Sequence, residues 1–154
     1  MYPKINFKMK KYSFLLLGIF VAMTTIAQSE SEAIIGDWYN QEKDAIIQIF
    51  TEDGKIHGKI TWMLNPLDEN GNPKTDHLNP EKSLQSRPRL GMVMMYDFEY
   101  DGNNIWNEGE VYDPKSGNTY SGMVTLTSPN NLDLKGYIGI PLFGRTSNWT
   151  RKLD

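Results

Sequence analysis

The chain has 154 residues, with 16 basic against 19 acidic side chains and no cysteine, so a disulfide scaffold and a thiol nucleophile are excluded. With only two histidines, His57 and His77, a histidine-rich metal site is out of reach. Stability has to come from buried apolar surface, and a chain of this length has room for one core.

Residues 1–27 read as a leader peptide. Lys8, Lys10 and Lys11 give a basic start, 14–23 is an apolar run, and Thr25-Ile26-Ala27 places small residues at the two positions a signal peptidase reads. The run falls short of the ~20 residues that span a bilayer, so no stable membrane insertion is expected after cleavage. Met9 is an alternative start. Cleavage before Gln28 would remove four of the 16 basic residues and none of the 19 acidic ones, leaving 28–154 with a formal charge of −7. Nucleic acid and anionic membrane surfaces are poor partners for such a chain. The expected location is periplasmic or secreted, and nothing in the sequence fixes an oligomeric state.

In the remainder, 29–33 suits a single helical turn before a first strand carrying Gly36-Asp37-Trp38. Residues 45–51 and 55–63 flank Glu52-Asp53-Gly54, a strong hairpin signal. In the second of these strands Ile56, Gly58, Ile60 and Trp62 share one face, which predicts burial of that face. Residues 64–90 break the rhythm with Asn-Pro and Asn-Gly turn chemistry. Within them Asn79 is placed to cap a short helix over 80–84. A connection this long in a small domain usually binds, covers or moves.

Regular hairpins then return. Met92, Met94, Tyr96, Phe98 and Tyr100 alternate with polar residues. Two further half-buried strands flank Asp113-Pro114-Lys115-Ser116-Gly117, where proline fixes φ early and Gly117 can take the positive φ that returns the chain. Leu132, Leu134, Gly136 and Ile138 alternate with Asp133 and Lys135, an apolar loop follows at 139–144, and 145–152 closes the chain as a last strand. Eight short antiparallel strands without a long helix predict an all-β fold, a single eight-stranded up-and-down barrel with one short helix in the 64–90 connection. Such a barrel removes its own edges and encloses room for side chains or one small ligand.

Gly36-Asp37-Trp38 at the start, with Arg151 just beyond Trp149 at the end, resembles the signature of the lipocalin-like (calycin) superfamily. The resemblance implies that Gly36, Trp38, Trp149 and Arg151 close one end of the barrel. A wider set is similar to the exported bacterial family known as domain of unknown function 2147. It comprises Ile35-Gly36-Asp37-Trp38, Asn79-Pro80, Arg87-Pro88-Arg89-Leu90-Gly91, Trp106 with Gly109-Glu110-Val111-Tyr112-Asp113-Pro114, Gly117-Asn118-Thr119-Tyr120, Gly136-Tyr137 with Gly139, and Trp149 with Arg151. That resemblance implies an exported small β protein whose activity is not established, with no catalytic residue to carry over; no cofactor is expected.

Arg87 and Arg89 bracket a proline, and an extended chain there would send both guanidiniums to one side, suited to a carboxylate, phosphate or sulfate. The competing reading is that they pair with acidic groups on the rim and pin the long connection. Trp62, Tyr96, Tyr112 and Tyr120 are candidates to line or rim a pocket for a small, partly apolar ligand. Gly58, Gly122 and Gly136 fall on apolar strand faces, where they leave room for a ligand or for neighbouring side chains. Asp113 with Glu110 or Glu108 offers a carboxylate pair of the kind a hydrolase uses, although solubility alone explains alternate acidic positions. Asp68, Glu69, Asn70 and Asp76 superficially suggest calcium, but their spacing fails as an EF-hand. Three functions remain: a non-catalytic ligand-binding barrel, an envelope interaction protein with a filled core and Ile140-Pro141-Leu142-Phe143 as its contact, and a carboxylate-dependent hydrolase.

Overall fold

The alternating strands and tight turns of the sequence close on themselves. The computed structural model describes residues 30–153, so the leader expected over 1–27 lies outside the described residues. The strands are Gly36–Tyr39 (β1), Ala45–Glu52 (β2), Lys55–Met63 (β3), Val93–Gly102 (β4), Ile105–Asp113 (β5), Asn118–Ser128 (β6), Asn131–Tyr137 (β7) and Arg145–Arg151 (β8). Each pairs antiparallel with the next, and β8 returns to β1 to complete a closed barrel. The seam sets Trp38 opposite Arg151 and Tyr39 opposite Thr150. Among the described residues no helix is long and apolar enough to cross a membrane.

One end of the barrel is filled. Trp38, Ile49, Phe98, Trp106, Val124 and Leu132 are wholly buried there, each side chain contributing roughly 1.5–3 kcal/mol by leaving water. The turn before β1 plugs this end: Ile34 is buried, and the carbonyls of Ile34 and Ser31 accept the indole N–H groups of Trp38 and Trp106 at 2.8 and 2.9 Å. The glycines make room for neighbours. A Cβ on Gly109 or Gly122 would overlap the Phe98 ring, and one on Gly58 would come within 2.8 Å of the Met95 sulfur.

Two strands depart from simple alternation because bulges shift their register. In β3, Ile60 faces Ile47 while Trp62 faces Ile46, so Thr61 is an extra residue and every side chain beyond it changes face. Trp62 therefore turns outward, 39% exposed. In β4, Met94 is inserted between the partners of Lys59 and Gly58, and a second slip falls at Asp97, whose φ is 60°. Met95 and Phe98 are consequently the wholly buried residues of β4. Tyr96 points outward, its hydroxyl donating to the Val93 carbonyl at 2.6 Å.

The connection between β3 and β4 folds back over the outside of β5. Two isolated bridges, Leu67 with Pro73 and Thr75 with Pro88, give it internal structure. Its helix is a single 3-10 turn, Lys82–Leu84, shorter than the expected 80–84. The Asn79 side chain forms a tight turn with the Glu81 N–H at 2.8 Å and donates to Asp76 at 2.8 Å, so it does not cap a longer helix. A further 3-10 turn, Pro141–Phe143, occupies the loop between β7 and β8.

Candidate functional site: the open end of the barrel

The loops β1–β2, β3–β4, β5–β6 and β7–β8 all emerge at the end opposite the N-terminal plug, and between them lies a cavity of about 640 Å3. That lies within the 300–1,000 Å3 range of small-molecule pockets. Its floor is apolar and mostly buried, built from Ile47, Ile60, Val111, Leu134 and Trp149, with the bulged Met94 beside them. A second recess of about 840 Å3 runs along 65–77 on the long connection. It is more open, and it shares Asn65, Lys74 and Arg89 with the first.

The mouth carries charge of both signs, and the two signs are treated differently. Each acid on it is already engaged. Asp113 accepts the N–H of Lys115 at 2.9 Å and the Ser116 hydroxyl at 2.7 Å, so its carboxylate holds its own turn. The Asn40 side chain donates to Glu42 at 3.1 Å and to Asp44 at 2.6 Å, and Lys115 reaches Asp44 at 3.2 Å. The hydrogen bond from Asn40, reinforced by Lys115, holds the Asp44 carboxyl below its ordinary value.

Three cations at the mouth are less fully engaged. Among the described residues, the side chains of Lys74 and Arg145 make no ion pair. Arg89 spends only its Nε, on the Thr75 carbonyl at 2.9 Å. Lys74 and Arg89 are held side by side, because the Arg89 N–H donates to the Lys74 carbonyl at 2.9 Å. Arg145 stands opposite Gly136 at the start of β8.

The two arginines flanking Pro88 diverge, contrary to the extended geometry expected of them. The chain bends at both positions, which removes the two-residue alternation. Arg89 faces the cavity. Arg87 turns to the outside of the barrel, its Nη2 and Nε donating to Asp76 at 2.9 and 3.2 Å. Asp76 is wholly buried and also accepts the Tyr112 hydroxyl at 2.6 Å. Arg87 and Tyr112 thus belong to the clasp that pins the long connection, not to the cavity.

Trp62 and Tyr96 face outward and do not line the cavity. Tyr120 stands opposite Val111 and covers Gly136, at the cavity's edge without joining its lining. Trp149 forms part of the floor, while Gly36, Trp38 and Arg151 meet at the filled end. Glu108 and Glu110 are exposed and do not share the cavity with Asp113. His57 lies on the outer face with its side chain largely covered, its ring 5.8 Å from that of Phe50. Asp68 closes its own loop, accepting the N–H groups of Asn70 and Asn72 at 2.9 Å each. Among the described residues no three His, Asp or Glu side chains converge as a metal would need.

Lys74, Lys115 and Arg145 escaped sequence inspection because each is an ordinary cation in a different loop. Loop parity would have found them: in an up-and-down barrel every second connection opens at the same end, so cations in the second, third and fourth odd-numbered loops share one mouth.

Among solved structures, the chain is similar to protein HP1028 from the human pathogen Helicobacter pylori, described as belonging to the lipocalin family. The TM-score is 0.68 at 26% sequence identity, covering 79% of this chain and 84% of that one. No curated protein matches the chain. Residues 36–151 match the model of a family described as an uncharacterized protein conserved in bacteria, DUF2147, and the chain belongs to that family.

Proposed function

We propose that this lipocalin-like barrel is an exported, non-catalytic carrier or receptor that takes a small, partly apolar ligand into its open end. The observation that carries the reading is the 640 Å3 cavity, with its apolar floor and polar mouth. An apolar wall with a few placed polar groups gives affinity through burial and orientation through the rim. The leader-like composition of 1–27 is what supports an extracytoplasmic location. Glu108 and Glu110 are not in the lining of the cavity that Asp113 joins, so the binding reading is preferred to a hydrolase built on those pairs.

A neutral apolar fluorophore titrated into the purified protein should show saturable binding. Ala45→Trp, which fills the mouth from β2, should weaken that binding by about tenfold or more while the thermal melt holds. Unchanged affinity in a folded Ala45→Trp protein would place the ligand elsewhere. A second reading, an envelope contact surface, is supported by Leu142 and Phe143, which are 79% and 80% exposed. It predicts self-association or partner capture that Phe143→Ser abolishes and that Ala45→Trp leaves intact.

A further inference from the structure

Charge at the mouth narrows the class of ligand. From the sequence, 28–154 carries a formal charge of −7, so an uncompensated group of cations runs against the average of the chain. All three acids on the lining are nonetheless engaged by Asn40, Lys115 or the Asp113 turn, whereas Lys74 and Arg145 make no ion pair among the described residues and Arg89 gives up only its Nε, to the Thr75 carbonyl. Half-burial of Lys74 and Arg89 beside an apolar cavity sharpens the asymmetry. Unpaired charge at a partly desolvated site costs free energy that an anion bound there would return. Below that rim Ile47, Ile60, Val111 and Leu134 present only hydrocarbon, and the Ser147 hydroxyl beside them accepts the Trp149 indole N–H at 2.9 Å.

We propose that the occupant is an anionic amphiphile, its acidic head held by Lys74, Arg89 and Arg145 and its hydrocarbon chain lying on the floor around Ile60, Leu134 and Trp149. This rests on the reading of the cavity as a binding site. The head is a carboxylate or an acidic ester such as a sulfate or phosphate, since each presents oxygens to an Arg fork. Arg89 has both terminal nitrogens available, because the Thr75 carbonyl takes only Nε. That bond also fixes the plane of the guanidinium, so a bound anion meets a donor already oriented.

Calorimetric titration with decanoate, decyl sulfate, decanol and decylamine, all below their micelle thresholds, separates the possibilities. The two anions should bind about tenfold or more tighter than decanol, and decylamine weakest, with the anion preference shrinking as salt is added. Arg145→Gln with Lys74→Gln, neither in the core, should cut anion affinity about tenfold or more and leave decanol unchanged. Arg89→Gln should do the same, and its melt shows whether the connection stays docked. Equal affinity for decanoate and decanol would overturn the acidic head and leave the binding barrel standing. Failure of every probe, decanol included, would overturn both.

Discussion

The guanidinium of Arg151 lies over the indole of Trp38, 4.1 Å from its centroid, at the seam where the last strand meets the first. All three of its nitrogens donate as well: Nη1 to Ile35 at 2.9 Å, Nη2 to Ala33 at 2.7 Å and Nε to Pro129 at 2.9 Å. One side chain thereby ties the plug before β1, the β6–β7 turn and the seam together. Gly36 leaves space for it, with φ of 128° and a would-be Cβ only 3.1 Å from Nη1.

Arg151→Met should therefore cost about 2–4 kcal/mol, the sum of a covered cation–π contact and carbonyls left without donors. The guanidinium chloride unfolding midpoint measures it. Arg151→Lys should recover less than half, because one ammonium keeps the charge but cannot span three carbonyls in fixed directions. A midpoint for Arg151→Met within about 0.5 kcal/mol of the parent would show that the seam closes without this clasp.

The Phe98 ring occupies the space that Gly109 and Gly122 vacate. Gly122→Ala and Gly109→Ala should each destabilise by about 1–3 kcal/mol through overpacking. Gly136→Ala should be close to neutral, since its added carbon would sit 3.5 Å from Tyr120 in ordinary contact. A double-mutant cycle checks the cause: in a Phe98→Leu background the Gly122→Ala penalty should shrink by half or more. An undiminished penalty would point to backbone strain in place of the ring.

These same residues show what a period-two reading can and cannot see. Strand number and hairpin turns follow from local chemistry, because turn residues and alternation are written within a few positions of one another, whereas the Trp38–Arg151 seam is what the lipocalin-like resemblance implies and no local pattern reports it. Bulges are not: Thr61, Met94 and Asp97 carry no side-chain mark of being inserted, yet each reverses the faces beyond it. That is why Trp62 and Tyr96, sound candidates by alternation, lie outside. The 64–92 connection hid its logic for another reason. Arg87 and Tyr112 are linked through Asp76, a partner distant in sequence from Tyr112, and local spacing does not report such a pairing.

The Asp76 clasp makes the docking of that connection depend on pH at both extremes. Burial pushes the Asp76 carboxyl up, but the hydrogen bonds from Tyr112, Asn79 and Arg87 and the charge of Arg87 outweigh it and hold the carboxyl below its ordinary 3.8. A depressed native value means that the folded state binds fewer protons, so this stability is fully present above 3.8 and is lost as pH falls through the lower native value. Tyr112 behaves in the opposite sense. Burial first, then the Asp76 carboxylate, push its phenol from 10.0 up to about 12, so its contribution is present below 10.0 and is lost as pH rises toward 12. Ultraviolet titration should show one tyrosine ionising well after the exposed ones, and Tyr112→Phe should remove that late step. The same variant should cost about 1–3 kcal/mol by leaving the buried Asp76 short of a donor. Because the bond joins the connection to β5, the loss should be local as well as global: limited proteolysis within 64–92 should accelerate in Tyr112→Phe and in Asp76→Asn, and Asp76→Asn should flatten the acid limb of the stability profile. Burial also raises the Tyr100 phenol, so the test is the last step of the titration: if it is unchanged in Tyr112→Phe, the phenol pushed up to about 12 belongs to another residue and the link between this clasp and alkaline stability breaks.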